Sequence, residues 1–233
     1  MYCASAVSAC HSWVTWGKWP RYHRRMAPDP VSAPSLADEQ RDIARSRILR
    51  AAQGVLAGRG LAATVDDVAD AAGVSRRTVF RHFPTRDGLF AAAIREGMRR
   101  YSLRITPPPE NDDLRAWLLD LLLVTHQLNA SNGRVYWELA LEPDCFSGEL
   151  AQVAAERRES RRQFAAGVTT RMWQARGGRG QPPPWLGDAV AVHLSGFTTQ
   201  SLTGDFGRSP DEVAQLSAQV LEAALAAALA AAS

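Results

Sequence analysis

Little in this 233-residue chain is equipped for covalent or redox chemistry. The three cysteines, Cys3, Cys10 and Cys145, show no paired metal spacing, and so few thiols suit a cytosolic compartment. The five histidines, His11, His23, His82, His126 and His193, are dispersed along the chain, so neither a metal site nor a cofactor is expected. There is no Gly-x-Ser-x-Gly, no P-loop and no dinucleotide fingerprint, which argues against an enzyme. His126 and Glu138 are able in principle to share a proton, but nothing in their spacing demands it. No continuous apolar run follows a basic start as a secretory signal requires, and the apolar stretch at 114–129 is too short and too interrupted to span a bilayer. No membrane partner is expected.

Lysine is nearly missing as well, Lys18 being the only one. Arginine supplies the other cations and alanine is abundant, the bias of a GC-rich coding sequence, so arginine content alone says little about function. Its placement says more. Residues 40–101 hold twelve arginines against six acids, whereas 102–233 hold eleven arginines against fifteen acids. A local positive potential speeds encounter with DNA and gives salt-dependent affinity, and the acidic remainder has no such use.

The most informative stretch is Thr64 to Phe83, TVDDVADAAGVSRRTVFRHF, which reads as two short helices joined by a glycine turn. Thr64 is placed to cap the first helix, Asp66 and Asp67 complement its dipole, and Val65, Val68, Ala69 and Ala72 recur at helical spacing. Gly73 ends it where positive φ is needed, and Ser75 caps the second helix. At 100° per residue Val79, His82 and Phe83 share the inward side, while Arg77 and Arg81 centre the outward side with Arg76 and Phe80 beside them. Such a cationic strip suits a major groove about 12 Å wide, where arginine forks pair with guanine or hold phosphates.

The run GVSRRTVFRHFPTRDGLF, residues 73–90, resembles the signature of TetR-type transcriptional regulators, and the register extends over roughly residues 41–101. The resemblance implies an all-α fold: a three-helix DNA-binding domain with a helix-turn-helix, linked by a fourth helix to a helical ligand-binding and dimerisation domain. It also implies DNA contact by Thr64, Ser75, Arg76, Arg77, Thr78, Phe80, Arg81, His82 and Arg86. Two positions before His82 the family usually has tyrosine, whose hydroxyl binds phosphate; Phe80 has none. Arg86 stands where many members carry a lysine at the start of the fourth helix.

Three segments are therefore expected: a disordered N-terminal extension (1–39), the DNA-binding domain (40–101) and the sensing and dimerisation domain (102–233). Composition changes at Met26 from a tryptophan-containing run to a polar, proline-rich arm, which points to translation starting there; the alternative is a basic arm with Arg21, Arg24 and Arg25 on the minor groove. Helix one is read from Ile48, Ala51, Ala52, Val55 and Leu56. The fourth helix, with Leu89, Phe90, Ala93, Ile94 and Met98 packing back, is the expected mechanical link near Arg95 to Tyr101. TPPPENDD at 106–113 marks the boundary to the second half. There, helices are expected over 114–129, 135–141, 148–176, 185–203 and 210–232, with ERRESRR at 156–162 as a solvated run.

The last two of these helices have the lengths and order of a dimerising pair, and Val213, Leu216, Val220, Leu221, Ala224, Leu225 and Ala228 form an apolar stripe for a homodimer. An effector pocket is expected among the helices of 102–204, with Trp117, Leu121, His126, Trp137, Glu138, Phe164, Met172, Trp173, His193 and Phe197 as candidate lining. What the resemblance implies is a cytoplasmic repressor that leaves a palindromic operator on double-stranded DNA when a small apolar or aromatic effector binds. An activator of the same fold and a nonspecific DNA-binding protein are the alternatives.

Overall fold

The computed structural model describes residues 35–104, 113–141 and 146–232. The Met26 start, the basic arm, all three cysteines and most of the proline linker at 106–113 lie outside the described residues. Those described are helical, with no strand among them.

Helix α1 (Leu36–Arg59) starts on Ser35, whose hydroxyl accepts from the Asp38 N–H at 3.3 Å. It buries Ile48, Ala52 and Leu56 and gives way to a 3₁₀ turn, Gly60–Ala62. Gly60 has φ 61°, and a Cβ there would collide with the Glu138 carboxylate. Helix α2 (Val65–Ala72) carries the reciprocal cap expected of an acid at its third position. The Asp67 N–H donates to the Thr64 hydroxyl at 3.2 Å and the Thr64 N–H donates to the Asp67 carboxylate at 2.9 Å. Gly73 then turns the chain at φ 62°, ψ 41°, and the N–H groups of Gly73 and Val74 close onto Asp70 and Ala69 carbonyls at 3.1 and 3.0 Å. Helix α3 (Arg76–His82) follows, capped by Ser75, and Pro84 separates it from α4 (Arg86–Arg104).

Beyond the linker stand α5 (Leu114–Leu141), α6 (Gly148–Ala175), α7 (Pro184–His193), α8 (Gly196–Gly204) and α9 (Pro210–Ala232). Two expectations are corrected here. The segments 114–129 and 135–141 form one unbroken helix. The Ser131 hydroxyl in its polar middle donates back to the Gln127 carbonyl at 2.6 Å, a bond that a helix accommodates without supporting it. Apolar anchors pin both ends, Leu118 and Leu122 in one half and Val135 and Leu139 in the other. Conversely, the single helix expected over 185–203 breaks at Leu194–Ser195, because Ser195 caps a new helix by accepting the Thr198 N–H at 3.1 Å.

The core of α1 to α4 does not close on itself. Val135 and Leu139 of α5 and Leu150, Val153 and Ala154 of α6 belong to the same buried cluster as Ile48, Val68, Val79 and Phe90. The link between the two halves is thus wider than α4: α1 lies along α5 and α4 along α6. In the other half α5 packs on α8 and α9, and α6 on α7.

Candidate nucleic-acid interface and effector cleft

Helix α3 sits on its core through Val79, fully buried, and Phe83, while Ser75, Arg76, Arg77 and Arg81 are exposed. The arginines differ in their engagement. Arg76 donates to Asp66 of α2 at 2.6 Å and lies 5.3 Å from the Phe80 ring centre. Arg77 and Arg81, one turn apart, form no ion pair among the described residues.

The other residues named from the sequence have local duties. Thr64 and Ser75 hold helix starts, and the Ser75 and Thr78 hydroxyls share a hydrogen bond of 2.9 Å. Phe80 is half-buried against the core. His82 is half-buried, and burial followed by the charges of Arg81, Arg45 and Arg41 pushes its pKa down, so the ring is neutral at ordinary pH. Arg86 points inward: it donates to the Ala63 carbonyl at 3.1 and 3.2 Å and to the Leu61 carbonyl, and stacks 4.5 Å from the Phe90 ring centre. It fastens α4 to the turn that positions α2.

The candidate effector residues are scattered. Trp117, Leu121, Phe164 and Trp173 are buried in the helical core. His126 is fully buried, sharing a hydrogen bond of 2.8 Å between its Nδ1 and the Thr199 hydroxyl; burial first, and the His193 charge second, hold its pKa at about 4. His193 shares a 3.1 Å bond with Ser217. Glu138 faces the other way altogether, accepting from the Leu61 N–H after helix α1 and from Arg134 at 3.2 Å.

Trp137 and Phe197 of that set line a common cleft, their ring centres 4.1 Å apart, and the remaining walls are Asn129, Tyr136, Ala140, Arg157, Arg161 and Gly196. It has room for about 10 Å³, about one water. Arg157 and Arg161 correct the reading of 156–162 as a solvated run. Both are half-buried, and burial lowers the pKa of each, that of Arg157 to about 10. The Tyr136 hydroxyl is pushed up to about 12, mainly by burial. A charge run reads alike whichever face is inward; the i, i+4 spacing of these two arginines was the available signal.

Between the cleft and α3, three contacts join the halves. Arg95 of α4 grips Glu156 of α6 through two bonds, 2.8 and 3.1 Å. The Tyr136 hydroxyl lies against α4 at Gly97, where a Cβ would meet it at 2.5 Å. The Tyr101 and Thr125 hydroxyls share a bond of 3.0 Å.

A two-helix unit with exposed arginines on its outer face, set on an all-helical body, has the helix-turn-helix arrangement. Residues 48–93 match the family model described as bacterial regulatory proteins, tetR family. Over about four-fifths of the chain the fold is similar to that of solved TetR-type regulators. One, a tetR-family transcriptional regulator from Streptomyces coelicolor, is 23% identical with a TM-score of 0.64 over 82% of this chain and 84% of that one. FadR from Bacillus subtilis in complex with stearoyl-CoA is 20% identical, TM-score 0.56, over 76% and 95%. The fatty acid degradation regulator FadR from Bacillus halodurans is 19% identical, TM-score 0.57, over 76% and 93%. Among curated proteins none matches the chain significantly.

Proposed function

We propose that the protein is a cytoplasmic, ligand-released repressor: residues 40–101 read a palindromic operator, and 102–233 dimerise and bind a small effector with an apolar or aromatic body. The observation that carries the DNA reading is the pair Arg77 and Arg81, exposed on α3 and free of ion pairs among the described residues. Thr64, Ser75, Arg76, Thr78, Phe80, His82 and Arg86 support that pair, mostly by fixing the helices that present it. The effector reading rests on the cleft beside Trp137 and Phe197 and on its contacts to α4. A long apolar ligand in a protein of similar fold, the Bacillus subtilis FadR with its stearoyl-CoA, agrees with such a body.

Release requires that the effector favour a spacing of the two α3 helices that no longer matches successive major grooves. Binding-site selection from a random duplex library at moderate salt tests the reading. A palindromic motif is the expected result. General, salt-sensitive binding without enrichment would favour the nonspecific alternative. Reporter output driven from the selected site then separates repressor from activator.

A further inference from the structure

We infer that the cleft between α5, α6 and α8 takes an oxyanion, a carboxylate or phosphate on an aromatic or apolar body, held by Arg157 and Arg161. This rests on the reading of that cleft as the effector site and adds the chemistry of its ligand.

Both guanidinium groups line the same small cleft from one face of α6, a single turn apart, and no acid lines it with them. What each has instead is weak. Arg161 donates to the Ala191 carbonyl at 3.3 Å, and Arg157 lies 5.3 Å from the Tyr136 ring centre. Neither forms an ion pair among the described residues. Neighbouring acids are engaged elsewhere: Glu156 with Arg95, Glu159 with Arg162 and Gln163, Glu138 with Leu61 and Arg134, Glu96 with Arg99 and Arg100. Helix α8 contains no acid at all.

Two like charges drawn out of water without a counter-charge are costly, by desolvation and by mutual repulsion. A pair of amides or methionines would fill the same space without that cost. An arriving oxyanion reverses both terms, and two guanidinium forks match its geometry. Gly196 at the start of α8 brings the positive end of that helix to the same wall. The remaining lining sets the body of the ligand: Trp137 and Phe197 offer aromatic faces, and Asn129 a single amide. With room for about one water, the cleft admits such a body only when Phe197, 41% exposed at the rim, swings out. Occupancy also bears on Tyr136 beneath Arg157, and so on α4 at Gly97.

Calorimetry on the full chain without DNA, using 1-naphthoate, 1-naphthyl phosphate and the neutral 1-naphthylmethanol as probes, tests the site. At least one anion should bind about tenfold or more tightly than the alcohol. Arg157→Gln with Arg161→Gln should bring anion and alcohol to parity without weakening the alcohol. The Lys pair at the same positions, which keeps the charge and loses the fork, should retain part of the preference. If the double Gln variant does not fold, either single Gln substitution should lower the preference several-fold. Preference for naphthoate or for the phosphate identifies the anion. Equal affinity of anion and alcohol, no binding of either anion by about 1 mM, or a preference that survives the Gln substitutions overturns the proposal. Because no DNA is present, that failure leaves the operator reading intact. An anion that binds as expected but leaves operator affinity unchanged keeps the site and removes ligand control.

Discussion

Arg76 and Arg77 are adjacent on α3 and chemically identical, yet the fold gives them different work. Arg76 spans α2 and α3 by its bond to Asp66, an exposed pair with 59% and 58% of the two side chains accessible, and such pairs contribute little to stability. Arg77 has no such tie. Arg77→Ala should therefore weaken binding to the selected site by about 1–3 kcal/mol and relax preference at one position if it reads a base, or lower affinity for all sequences alike if it holds a phosphate. Arg76→Ala should cost less. Competition binding against single-base variants of the site measures both, and a larger loss for Arg76 would reverse the assignment. The helical wheel placed Arg77 and Arg81 outward and Val79 inward from the sequence alone. It had no means of seeing the Asp66 bond or the inward turn of Arg86, because each depends on which element lies opposite. Arg157 and Arg161 show the same limit, since only packing decides which arginines of ERRESRR leave water.

At the scale of elements, strong local signals were legible and weak ones were not. Thr64, Gly73, Ser75 and Pro84 punctuate α2 to α4 as their chemistry dictates, whereas α1, capped by Ser35, begins inside the segment expected to be a disordered extension. By its sequence the polar middle of α5 lies between two separate helices, but anchors at both ends keep it helical, tertiary packing overriding propensity. The break between α7 and α8 leaves one buried contact of interest, His126 of α5 on Thr199 of α8. His126 has a folded pKa of about 4 against an ordinary 6.5, so between those values the unfolded chain binds a proton that the folded one does not. Stability is then complete above about pH 6.5 and falls as pH drops toward 4, by roughly 3 kcal/mol at most. His82 and His193, also lowered chiefly by burial, act in the same direction. Chemical denaturation between about pH 7 and pH 5 should show this loss, and His126→Asn should make it shallower. Identical slopes in the two proteins would mean that His126 takes up its proton alike in the folded and unfolded chains.

For the whole molecule, the boundary expected from the sequence at 106–113 does not mark where packing stops, since α5 and α6 complete the core of α1 to α4. Nonlocal packing of this kind leaves no periodicity to read. The same holds for the stripe on α9. Val213, Leu221, Leu225 and Ala228 are buried within the monomer, whereas Leu216 and Val220 stand 41% and 38% exposed. With Ala223 and Ala227, also exposed, they follow at i, i+4, i+7 and i+11, a second face of apolar and small residues. Helix α9 is also long and apolar enough to cross a membrane, although its other face packs against α5 and α7. On the proposed DNA-binding reading a second copy of the chain is the expected occupant of this face, because the seven-residue α3 alone offers a small interface for tight specific binding and a twofold partner doubles it. Leu216→Glu with Val220→Glu should shift the mass by light scattering from two chains to one, with little loss of melting temperature since neither side chain is buried. Affinity for the palindrome should fall to that for a half-site, and the slope of affinity with salt should be roughly halved as half the phosphate contacts are lost. A wild-type chain that is monomeric at working concentration would remove the dimer. A variant that stays dimeric would place the interface away from this face of α9, leaving its exposed residues to some other partner.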